Sequence, residues 1–109
     1  MPNGVDQNWV RLLAAVDGFY LEHRSWPNRV LLHGPAIKTL QTHVFSEASF
    51  AKITLRIELV PSDSGVIAED DNGNQYNYGK QGFPENRPSP SAEEWFGVQP
   101  DGPEFKFGR

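Results

Sequence analysis

The chain has 109 residues, 38% hydrophobic and 12% aromatic, with a formal net charge of −4 and no cysteine. This length fits one small domain around one core, and the lack of cysteine excludes disulfides, thiolate metal sites and a cysteine nucleophile. Residues 1–61 carry six basic and five acidic side chains, and residues 62–109 carry four basic and nine acidic ones. An acidic half with no basic run anywhere would repel a polyanion, so nucleic acid is not an expected partner.

The first apolar stretch, from Trp9 to Leu21, is interrupted by Arg11, Asp17 and Gly18. It is too short and too charged to span a bilayer, so no membrane association is expected. Residues 1–7 have no basic region ahead of an apolar core, and the expectation is a soluble, cytoplasmic protein. Residues 6–23 read as an amphipathic helix. At about 100° per residue, Trp9, Leu12, Leu13, Val16, Phe19 and Tyr20 share one stripe, with Arg11, Gly18 and Glu22 opposite. Asp6 would cap this helix and Val5 would pack on Val10. Pro27 requires it to stop by Ser25.

Residues 29–33 (RVLLH) form a short β-prone run, and Gly34-Pro35 opens a second helix, over 35–44, carrying Ile37, Leu40 and Val44. In AKITLRIELVP, Ile53, Leu55, Ile57 and Leu59 alternate with Lys52, Thr54, Arg56 and Glu58. This alternation predicts a strand over 52–60 with one buried face, ended by Pro61. A right-handed crossover makes it parallel to the first strand. Residues 66–78 read as a hairpin around a three-residue loop, Asp71-Asn72-Gly73. That register pairs Val66 with Tyr78 and Ala68 with Tyr76, which keeps the apolar groups on one face. The order α-β-α-β-β-β gives an α+β fold, a three- to four-stranded, mainly antiparallel sheet with helices on one face. Residues 80–109 hold five of the nine prolines and no apolar period. Ser91 and Glu94 stand in capping-box spacing and mark a helical turn at 91–96. The expected organisation is a compact domain over 1–79 and an extended Pro-rich arm over 80–109.

His23, His33 and His43 are spaced too widely for a local metal-ligand motif, so neither metal nor cofactor is expected. Counting a calcium loop from Glu69, Asp70 or Asp71 puts Lys80, Gln81 or Gly82 where the twelfth-position Glu belongs. There is no Gly-x-Ser-x-Gly nucleophile turn. Two groups of residues remain. His23, Arg24, Trp26, Arg29 and His33 surround the joint between first helix and first strand. They are candidates for the mouth of a pocket taking a small anionic ligand, with a histidine available as general acid–base. In the competing reading His23 caps the helix, Trp26 plugs the core edge and the arginines snorkel. Trp95, Phe96, Phe105 and Phe107 lie in the Pro-rich segment and either fold back onto the domain or anchor a partner. The functional expectation is a small non-enzymatic binding or regulatory domain. It would associate with itself, through a sheet edge or the aromatic arm, or with another protein. The alternative is the anionic-ligand pocket at 23–33.

Overall fold

The computed structural model of the chain describes residues 7–63 and 65–101. Asp6 and Val5, the expected cap and staple of the first helix, lie outside the described residues. That helix, α1, spans Gln7–His23 and buries Trp9, Leu12, Ala15, Val16 and Phe19, as its stripe requires. Ala14, Asp17 and Gly18 are buried as well. Burial therefore runs right round the helix, which makes α1 an interior helix rather than a surface one. The pattern set Gly18 on the polar side. The structure covers it with Tyr76, and a Cβ at Gly18 would stand 2.3 Å from the ring. Tyr76 Oη donates to the Gly82 carbonyl at 2.7 Å, which fixes the ring against the helix. The α1 backbone ends as Arg24 takes a left-handed φ of 57° and its amide donates to Tyr20 O.

Strand β1 (Arg29–Leu32) runs parallel to β2 (Glu58–Pro61) and antiparallel to β3 (Ile67–Glu69), which pairs in turn with β4 (Gln75–Asn77). The sheet order is β2-β1-β3-β4, in an α+β arrangement with Val30, Ala68 and Tyr76 facing the core. The Asp70 amide donates to Asn74 O and the Tyr78 amide to Val66 O, so the β3–β4 loop is the three-residue one, with Gly73 at φ 88°. Asp70 organises that loop. Its carboxylate accepts from the Asn72 and Asn74 amides and from Asn74 Nδ2, and these bonds hold its pKa below the usual carboxylate range.

The strand expected over 52–60 is corrected. Residues Glu47–Arg56 form a helix, α3, and only Glu58–Pro61 is extended. Alternating apolar residues at 53, 55, 57 also contain an i, i+4 pair, and this pair is the one used. Ile53 and Ile57 are buried, with Phe50 half-buried on the same side, whereas Leu55 is 84% exposed. Ser46 caps the helix by accepting from the Ser49 amide. Before it, α2 (Gly34–Thr39) starts on Pro35 and continues through a π-helical turn, Leu40–Val44, whose Leu40 and Val44 enter the core.

After β4 comes a single turn, α4 (Tyr78–Gln81), then a loop, then α5 (Ala92–Phe96). Ser91 and Glu94 bond reciprocally as a capping box. Ala92, Phe96 and Val98 are buried in the same core as α1. The Phe96 ring lies 5.6 Å from that of Trp9, which meets Phe45 edge-on at 4.7 Å. Asp101 then closes the segment onto α3. Its carboxylate accepts from the Ser46 amide, Ser46 Oγ and Ser49 Oγ, each at 2.8 Å.

Both sheet edges are blunted. On β4, Gln75 O lies 3.2 Å from His23 Nε2, and the Asn77 amide donates to Gln81 Oε1. On β2, the Glu58 and Ser62 amides donate toward β1, so Leu59 and Pro61 turn their backbone outward, and Pro61 has no amide hydrogen.

Gly18→Ala should destabilise the protein by about 1–3 kcal/mol, because the added methyl has to displace a ring anchored at both ends. Urea unfolding of Gly18→Ala, Tyr76→Ala and the double variant checks this. The glycine substitution should cost much less once the ring is gone.

Candidate functional site

The five side chains expected around the 21–35 joint do not gather into one pocket. His23 packs its ring 4.7 Å from Phe19 and sets Nε2 against the Gln75 carbonyl, so it serves the end of α1 and the sheet edge. Arg24 is exposed. Arg29 donates to Glu69 Oε1 at 3.0 Å and to Asp71 Oδ1, which ties the start of β1 to the hairpin. Two carboxylates around one guanidinium leave no positive charge for an anion there. His33 is exposed beyond the far end of β1, 4.0 Å from Asp63 and about 13 Å along the strand from Arg29.

Trp26 is joined to residues far from it in sequence. It stacks on Tyr20 at 4.2 Å and on Trp95 at 4.5 Å, the two indoles being 5° from parallel. The guanidinium of Arg56 lies 5.6 Å from the Trp95 ring centre. Trp95 is half-buried and Phe96 buried, so these two aromatics are committed to the domain's own packing. Phe105 and Phe107 lie outside the described residues. Among the described residues no three His, Asp or Glu are grouped to hold a metal ion, and no helix is long and apolar enough to cross a membrane.

The best-formed concavity lies elsewhere, along the outward face of α1. A groove of about 430 Å³ runs between that face and residues 83–87. Its floor is Trp9, Val10, Leu13 and Ala14, and its wall is Phe83 and Pro84. Phe83 is 60% exposed and stands edge-on to Tyr78 at 5.2 Å. The polar lining is three carboxylates, Asp17, Glu85 and Glu93, against one guanidinium, Arg87. A concave apolar surface with a few convergent polar groups is the usual form of a binding site.

Asp17 is the unusual group. It is buried on α1 and its Oδ1 accepts the Ala92 amide at 2.6 Å, so it holds the first turn of α5 to α1. Burial raises its pKa above the ordinary value and Glu93 adds to the rise, while the Ala92 bond and the charge of Arg87 oppose it. Asp101 is shifted the other way. Its burial would raise the pKa, but the hydrogen bonds from Ser46 and Ser49 outweigh that and lower it.

No protein-family model, curated protein or solved structure matches this chain. The groove was not legible as a site in the sequence. Asp17 sits beside an apolar stripe, and Phe83 and Arg87 sit in a stretch with no periodicity; only the fold makes them neighbours. The one local signal was the pairing of Ser91 with Glu94, which marks a structured α5 and hence a surface for it to pack on.

Asp17 has a pKa raised by folding, so its contribution to stability is fully present below the unfolded carboxylate value and is lost as pH rises through the folded value. Asp17→Asn keeps an acceptor for Ala92 without the charge. Its stability relative to wild type should therefore improve as pH rises from 3 to 7, a range spanning the carboxylate titration. Asp17→Ala leaves the buried Ala92 amide without an acceptor and should cost about 1–3 kcal/mol relative to Asp17→Asn. Thermal unfolding of both variants across this range measures the two effects.

Proposed function

We propose that this is a non-enzymatic interaction domain whose docking surface is the groove along α1. Its occupant would be a short extended peptide segment bearing aromatic and basic side chains. The observation that carries this reading is the pairing of an apolar floor with three carboxylates against one guanidinium in a single groove. An aromatic side chain finds apolar area at Leu13, Ala14 and Phe83, and a neighbouring cation is attracted by Asp17, Glu85 and Glu93. The blunted edges of β2 and β4 favour the groove over strand addition.

The chain's own residues 105–109, Phe-Lys-Phe-Gly-Arg, have the required chemistry. Self-association through Phe105 and Phe107 is therefore one form of the same recognition. The alternative, an anionic ligand held by His23, Arg24, Trp26, Arg29 and His33, loses its main cation to Glu69 and Asp71.

An amidated Phe-Lys-Phe-Gly-Arg peptide titrated into the full chain should bind weakly and shift amide resonances of Leu13, Ala14 and Phe83. Phe83 is exposed, so Phe83→Ala should leave folding intact while weakening the peptide by about five- to thirtyfold, the loss of roughly 1–2 kcal/mol. If wild type binds neither this peptide nor a Phe-Glu-Phe-Gly-Glu control, or binds both equally, the reading fails.

A further inference from the structure

The exposed face of α3 carries a second surface. Phe50, Ile53 and Ile57 hold one side of this helix on the core. At about 100° per residue, Ala48, Ala51 and Leu55 fall together on the opposite side, and all three are exposed. Leu55, at 84% exposure, is the largest departure from apolar burial among the described residues. A shallow groove of about 390 Å³ between α3 and α5 lies beside it, with Lys52, Arg56, Phe96 and Gly97 in its lining.

Charge along this helix is polarised. Glu47 occupies the first turn and Arg56 the last, with Lys52 between them. Two copies of such a face side by side in parallel bring like charges together, whereas antiparallel copies bring opposite charges together and also oppose the helix dipoles. We propose that α3 pairs with α3 of a second copy, antiparallel, about a two-fold axis between Ala51 and Lys52. Leu55 then packs on the partner's Ala48, a large side chain against a small one, and Glu47 faces the partner's Arg56. The contact is isologous, so both features occur twice. None of the residues around the α1 groove takes part, and this surface does not depend on the peptide reading.

One ten-residue helix face with its flank is small for a specific interface, so the dimer is weak and reversible. Sedimentation equilibrium of the full chain should show a mass rising with concentration toward that of a dimer, at up to about 1 mM protein. Leu55→Glu changes only an exposed side chain and should abolish that rise while the circular dichroism stays that of wild type. Glu47→Lys and Arg56→Glu should each weaken self-association alone, and an equimolar mixture of the two should recover it, because each then meets its opposite. A wild type that stays monomeric, a Leu55→Glu variant that associates as wild type does, or a mixture no stronger than its components overturns the proposal.

Discussion

Burying a helix on every side requires other elements to cover each of its faces, and α1 imposes that requirement on the whole chain. The sheet covers one side through Val30, Ala68 and Tyr76; α2, its π-turn and α3 cover another through Leu40, Val44 and Ile53; α5 and the residues after it cover the third through Ala92, Phe96 and Val98. Each fully buried Leu or Phe contributes about 1.5–3 kcal/mol, so a helix carrying Leu12 and Phe19 organises what surrounds it. Two local devices follow. Gly18 lacks a side chain where Tyr76 must approach, and Asp17 supplies the acceptor that the buried start of α5 needs.

The segment after β4 is thereby part of the core, in spite of its proline content. Trp95 continues the stack begun by Tyr20 and Trp26, Phe96 meets Trp9, and Asp101 fastens the chain to the start of α3. These fastenings fix the walls of the α1 groove at both ends of the segment. A groove held by core packing offers a preformed surface, which lowers the ordering cost of binding.

The carboxylates do opposite things for stability. Asp70 and Asp101 are hydrogen-bonded as anions and hold lowered pKa values, so their contributions are present above the unfolded carboxylate value and disappear as pH falls. Asp17 is penalised as an anion, and its contribution runs the other way. The same burial that raises its pKa places it at the groove, where a cation would relieve the penalty. Structure and proposed recognition thus meet at one side chain.

What the amino-acid order determined by itself was whatever depends on near neighbours. The stripe of α1, the stop before Pro27, the Gly-Pro start of α2, the Asp71–Gly73 loop and the Ser91–Glu94 cap all arise from contacts within about two turns. The stretch around Ile53, Leu55 and Ile57 was ambiguous, because its alternation satisfies a strand and its i, i+4 pair satisfies a helix. Packing on the core and the cap at Ser46, itself clamped by Asp101, decided for the helix and left Leu55 outside. The same holds for both surfaces assigned here. Arg29 is neutralised from the hairpin, Trp26 is covered by Trp95, and Phe83 comes to face Leu13 only when the chain returns over α1. Burial, neutralisation and concavity are properties of groups that meet through space, and only the tertiary structure brings those groups together.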